Sequence, residues 1–219
     1  MWASEKPRVK ICCIGSLEEA RLAIRYGASA LGLVSEMPSG PGVLPESLIA
    51  EIAATVPPAV ASFLLTCRQD AASIIEQQRR CRTNTIQICD RLEQGSYAEM
   101  REALPGIALV QVIHVCGPES VAEALAVAPQ VDAILLDSGN QALPVKELGG
   151  TGRAHDWAIS ARIRARAGVP LFLAGGLRAG NVREAVERVR PFGIDVCGGV
   201  RTSGKLDERK LDALFRQLD

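Results

Sequence analysis

The chain has 219 residues, of which 47% are hydrophobic and only 4% aromatic, a composition that fits one large α/β domain with an aliphatic core. Lys and Arg number 25, as do Asp and Glu, so no net field draws nucleic acid or an anionic membrane surface, and neither is expected as a partner. Seven cysteines without a CxxC pair argue against a disulfide framework and make the reducing cytoplasm the expected compartment.

No stretch is long enough to cross a bilayer. Residues 1 to 8 read as polar and the apolar run from Val9 is short, so no signal peptide is expected. From there the chain alternates. A strand at Val9–Cys13 precedes an amphipathic helix at Leu17–Tyr26, and a strand at Ala30–Val34 precedes a helix at Pro45–Ala54. Further strands are predicted at Ala59–Leu65, Thr85–Cys89, Ala108–Val115, Ala133–Asp137, Pro170–Ala174 and Gly193–Val196, with helices at Ala71–Cys81, Ser120–Ala128 and Asn181–Val189 among them. Eight βα units favour closure into a single (β/α)8 TIM barrel of eight parallel strands, one domain over residues 1–219. A doubly wound sheet is the alternative, but no GxGxxG follows the first strand, and no cofactor is implied.

Two connections are long: Ser35 to Gly42 after strand two, and Ser138 to Arg153 after strand six, the latter ending in Gly149-Gly150-Thr151-Gly152. Both leave the C-terminal ends of strands, the rim on which barrel enzymes carry their sites. The rim also holds Cys12, Cys13, Ser35, Glu36, Thr66, Arg68, Cys89, Asp90, His114, Cys116, Asp137 and Asp195. Asp137 closes an apolar run, where partial burial would raise its pKa and suit it to general acid work; a turn-capping role is the alternative. Cys12 also ends an apolar strand, either as a small core residue or as a thiolate base. His114 and Cys116 share a strand face, but two ligands do not make a site. Cys12 and Cys13 should face opposite ways, so no metal is expected. At the end of the chain Gly175-Gly176 and Gly198-Gly199 each follow a strand and are expected to open helices, whose N–H groups would form a phosphate cradle. The expected ligand is a phosphorylated small molecule.

Taken in order, Val9-Lys10-Ile11-Cys12, Gly27-Ala28-Ser29-Ala30-Leu31-Gly32-Leu33-Val34, Leu136-Asp137-Ser138, Gly149-Gly150-Thr151-Gly152-Arg153-Ala154-His155-Asp156-Trp157, Leu173-Ala174-Gly175-Gly176-Leu177 and Gly193-Ile194-Asp195-Val196 resemble the phosphoribosylanthranilate isomerase family of tryptophan biosynthesis, over essentially the full length. The resemblance implies an Amadori rearrangement of an N-glycosylamine to a 1-amino-1-deoxyketose. It also implies Asp137 as general acid, Cys12 as general base and Asp195 near the sugar, with Gly175, Gly176, Gly198 and Gly199 on the phosphate.

The chain departs from the family pattern at several points. The arginine expected after strand two, which meets the anthranilate carboxylate, is absent from Pro38-Ser39-Gly40-Pro41. The histidine expected after Gln87 is Cys89, and Cys13 and Arg201 stand where the family has Gly and Glu. Cys89 and His114 are carried as substrate-side candidates. Arg201 first, and Arg153 next, are the expected substitutes for the missing cation. A paralogue acting on another phosphorylated glycosylamine or aldose, and a non-catalytic phosphosugar-binding barrel, are the other readings. The assembly is expected to be a monomer or a homodimer.

Overall fold

The apolar runs pair in chain order as parallel strands, and the eighth returns to the first to close a ring. The computed structural model describes residues 6–219; residues 1–5, the start of the stretch read as lacking a signal peptide, lie outside the described residues. The order is β1 (Arg8–Ile11), α1 (Leu17–Arg25), β2 (Ala30–Val34), α2 (Glu46–Thr55), β3 (Ala61–Thr66), α3 (Ala71–Cys81), β4 (Thr85–Ile88), α4 (Tyr97–Ala103), β5 (Ala108–His114), α5 (Ser120–Val127), β6 (Ala133–Asp137), α6 (Trp157–Arg166), β7 (Leu171–Leu173), α7 (Val182–Val189) and β8 (Gly193–Val196). A short antiparallel pair, β9 (Arg201–Thr202) and β10 (Lys205–Leu206), precedes α8 (Glu208–Arg216).

Successive strand side chains point to opposite faces, so each barrel strand supplies two apolar layers. Leu31, Leu33, Ile86, Ile134 and Leu136 face outward against helix residues such as Ile49, Ile74 and Leu211. Val34, Phe63, Val110, Val112, Leu135 and Phe172 face inward. The rings of Phe63, Phe172 and Phe192 meet edge to face at 5.9 and 5.6 Å and fill the interior below the rim. Helix starts are capped locally: Ser16 accepts from the Glu19 N–H, and Ser96 and Glu99 form a reciprocal capping box.

Three expectations need correction. β1 ends at Ile11 because Cys13 takes a left-handed conformation (φ 60°), which turns the chain out of the strand. β5 ends at His114, so Cys116 is past the strand, exposed, and does not share a face with His114. Gly175 and Gly176 do not open a helix. Both have positive φ (85° and 62°), and α7 begins only at Val182, after Asn181 has tied the turn back through the Gly176 carbonyl (3.0 Å) and the Arg178 N–H (2.8 Å). The second glycine pair leads only into a single 3-10 turn, Gly198–Val200.

Candidate active site

A cavity of about 550 Å³ opens at the C-terminal ends of the strands. Cys12, at the end of β1, and Asp137, at the end of β6, both line it, and Gly175, Gly176, Gly198 and Gly199 form part of its wall. One ligand can therefore meet the acid candidate, the base candidate and the glycine turns together.

Cys12 keeps the ladder of β1 by donating its N–H to Val196 (2.9 Å). Its sulfur occupies the space over Gly32. A Cβ there would stand 2.8 Å from the Cys12 Sγ and 2.9 Å from the Lys10 Nζ, so glycine in β2 makes room for both groups. Asp137 is held by one oxygen: Oδ1 accepts from the Ser138 N–H (2.7 Å), and the Ser138 hydroxyl lies 2.6 Å from Thr151 Oγ1, which ties the strand end to the glycine-rich loop. Oδ2 takes no hydrogen bond among the described residues, and Gly149 passes close over it.

Below them lies a buried ion pair that sequence reading missed. Lys10, fully buried, reaches Asp195 of β8 at 2.9 Å and stands 5.3 Å from the Phe63 ring centroid. The register aligns Lys10 with Asp195 across the β1–β8 seam. Burial disfavours the Lys10 ammonium, but the charges of Asp195 and Cys12 outweigh it and hold its pKa above the ordinary lysine value. Burial pushes Asp195 up, with Lys10 opposing. The available signal was positional: Lys10 is two residues before Cys12, so both side chains share the inward face, where a lysine needs a counter-charge.

The two glycine turns are packed together. A Cβ on Gly199 would overlap the Leu177 carbonyl oxygen, and one on Gly176 would lie 2.8 Å from the Ala154 nitrogen. Among the described residues, the N–H groups of Gly175, Gly176, Gly198 and Gly199 have no acceptor within the chain. Arg178, exposed on the same rim, lines the cavity, and its guanidinium has no hydrogen-bond or salt-bridge partner among the described residues.

Two cation candidates do not meet the expectation set for them. Arg201 lines the cavity, but its terminal nitrogens are committed: Nη1 to Glu19 (3.1 Å) and the Gly204 carbonyl (3.0 Å), Nη2 to Glu19 and to the carbonyls of Cys12 (3.1 Å) and Cys13. It clamps the β1 exit to α1 and leaves no fork for a carboxylate. Arg153 is exposed, paired with Glu147, and outside the cavity lining. The Arg201 partner lies across the fold, Glu19 being 182 positions away, which is why the sequence hid it; the Arg153 partner, Glu147, is only six positions away on the same loop.

Cys89 lines the cavity as a fully buried thiol whose pKa is raised by burial, so it offers bulk and a weak donor rather than charge. His114 lies outside the lining; its Nε2 hydrogen-bonds the Cys89 carbonyl (2.9 Å), which assigns the ring proton to that nitrogen. Cys13 was expected to face away from Cys12, but its left-handed backbone brings both to the cavity wall. Gln87 and Cys197, not singled out in the sequence, line it too. Among the described residues no three His, Cys, Asp or Glu side chains converge as a metal site, and no helix is long and apolar enough to cross a membrane.

Residues 9–217 match the family model of N-(5'phosphoribosyl)anthranilate (PRA) isomerase. Relatives similar along their whole length include an N-(5'-phosphoribosyl)anthranilate isomerase of Methanosarcina acetivorans, 32% identical with 97% of this chain and 93% of the relative covered. That of Geobacter sulfurreducens is 36% identical, with 96% and 97% covered. The fold is similar to the phosphoribosyl anthranilate isomerase crystal structure from Thermotoga maritima, with TM-score 0.79, 28% identity and 97% of this chain and 98% of that one covered. It is also similar to a phosphoribosyl anthranilate isomerase solved with reduced 1-(o-carboxyphenylamino)-1-deoxyribulose 5-phosphate, with TM-score 0.76, 26% identity and the same coverage. Matched over nearly its full length by the family model and by these relatives, the chain belongs to the N-(5'-phosphoribosyl)anthranilate isomerase family, whose members are isomerase enzymes.

Proposed function

We propose that this isomerase rearranges N-(5'-phosphoribosyl)anthranilate to its 1-deoxyribulose 5-phosphate product, with Asp137 as general acid and Cys12 as general base. The observation that carries the reading is that both groups line one cavity whose wall includes the glycine turns. Asp137 gives its proton to the furanose ring oxygen as the C1–O bond breaks, leaving a protonated Schiff base. The Cys12 thiolate then takes the C2 proton, and the electron pair moves into an enolamine that tautomerises to the ketone. Asp195, ion-paired to Lys10, faces the sugar between them. The assay is the loss of substrate fluorescence in the presence of the enzyme that consumes the product, and absence of turnover at high enzyme concentration would overturn the reading. Every side chain used here comes from one chain, so a monomer suffices for the chemistry. Seven unpaired thiols suit the reducing cytoplasm.

The phosphate sits between the Gly175–Gly176 and Gly198–Gly199 turns, on loop N–H groups rather than on long helix ends. Inorganic phosphate should raise the melting temperature in a concentration-dependent way, as any ligand of the native state does. Gly199→Ala, which forces the Leu177 carbonyl away, should abolish that rise and increase the substrate KM on the order of tenfold or more, about 1.4 kcal/mol. An unchanged phosphate response in this variant would move the phosphate elsewhere.

A paralogue's substrate, another phosphorylated glycosylamine, is favoured by one observation. The arginines that line the cavity are Arg178, beside the phosphate turns, and the committed Arg201; the Ser39-Gly40-Pro41 end has none. A carboxylate bound there forgoes a charge-assisted contact of roughly 1.5–3 kcal/mol. KM for phosphoribosylanthranilate is therefore expected to exceed that of family members with the arginine by about tenfold to a hundredfold. Pro41→Arg should lower it. Tight binding by the native chain, with no response to Pro41→Arg, would remove this account of the ring end.

A further inference from the structure

Two thiols unused by the isomerase chemistry meet beside the base. Cys13 leaves β1 and Cys197 leaves β8, separated by 184 positions in the chain, yet their sulfur atoms lie 2.7 Å apart on the cavity wall. The left-handed backbone of Cys13 (φ 60°) turns its side chain toward β8, and Gly42, with no side chain, packs against its Cβ. Sulfur atoms in a disulfide stand about 2.04 Å apart, so bond formation here asks for a movement of less than an ångström. Cys197 is half-buried and reachable from the cavity.

We propose that Cys13 and Cys197 form an oxidisable dithiol that a peroxide closes into a disulfide across the seam where the barrel's first and last strands join. Cys197 is the attacking sulfur, since its hydrogen-bond contact with the Cys13 sulfur, first, and the charge of the nearby Arg201 guanidinium hold its pKa below the ordinary thiol value. The Cys13 thiol is held protonated, first by its hydrogen bond with Cys12, then by Cys197 and burial.

In the first step the Cys197 thiolate attacks one peroxide oxygen. The O–O bond breaks, leaving a sulfenic acid and a hydroxide that takes a proton to become water. In the second, the Cys13 sulfur attacks Cys197, the S–O bond breaks, and the hydroxyl leaves with the Cys13 proton as a second water. Two thiols lose two electrons and two protons, and one peroxide becomes two waters.

The test needs no isomerase substrate, so its outcome is independent of the functional reading. The full chain is treated with stoichiometric hydrogen peroxide, free thiols are alkylated, and unreduced peptides are sequenced by mass spectrometry. The expected product is a Cys13–Cys197 link that dithiothreitol removes. Cys12 and Cys13 fall in one tryptic peptide, so Cys12→Ser must keep the link and Cys13→Gly, suited to the left-handed φ, must lose it. If Cys13→Gly does not fold, Cys197→Ser serves in its place, with the same loss expected. A Cys12–Cys13 or Cys12–Cys197 bond as the main product, or sulfinic acids without any link, would overturn the proposal.

Discussion

Asp137→Asn is expected to lower turnover by about 10²-fold or more, roughly 2.7 kcal/mol of transition-state stabilisation, with little change in ligand affinity. The amide fits the same space and keeps an oxygen for the Ser138 N–H, which already fixes Oδ1 at 2.7 Å. What it loses is the carboxyl proton that the proposed general acid would deliver to the furanose oxygen from the other position, beneath Gly149. Cys12→Ser is expected to act alike, since a hydroxyl is a far weaker acid than a thiol and gives almost no anion at neutral pH. Steady-state kinetics separate the effect into kcat and KM: a loss confined to kcat marks proton transfer, and a loss confined to KM marks binding. Turnover within a few-fold of the parent in either variant would remove that residue from the reaction.

The second large effect is on stability. Lys10→Met should destabilise the fold by about 3–5 kcal/mol at neutral pH, read by urea unfolding, because it leaves the largely buried Asp195 carboxylate without its counter-charge at the cavity floor. The pH dependence identifies the cause. Burial already raises the folded pKa of Asp195, and removing Lys10 removes the main influence opposing it. An aspartate whose folded pKa exceeds its unfolded value binds more protons folded than unfolded, so stability falls as pH rises from about 3.9 through the raised value. The variant should therefore regain stability on mild acidification. The double variant Lys10→Met, Asp195→Leu should recover much of the loss, since an apolar pair can replace a buried ion pair. An equal loss at all pH values would point to packing instead.

The sequence made the barrel legible because its evidence is local. β2, β6 and β8 fall where their apolar runs do, and α3 spans the predicted Ala71–Cys81. Errors came where one residue's backbone departs from its neighbours, as at Cys13 and Gly175, or where a cation finds its partner far along the chain, as Arg201 finds Glu19. That Cys12 and Asp137 line the cavity was legible because each follows an apolar run to the rim. Lys10–Asp195 was not, since their pairing exists only once the first and last strands are known to be adjacent. α4, α6 and α8 were not singled out, although Ser96 and Glu99 carry the spacing of a capping box.

The β1–β8 seam has a kinetic meaning as well. Cys12 donates to Val196, Lys10 aligns with Asp195, and Arg201 grips the carbonyls of Cys12 and Cys13, so Cys12, the proposed base, is positioned by residues from the far end of the chain. Contacts of such sequence separation carry the greatest loop-closure entropy and belong to the slow side of folding. A nascent or partly refolded chain with most of its βα units in place still lacks Cys12 in its final position. Recovery of turnover during refolding therefore times the closing of the ring, while circular dichroism times the helices that precede it.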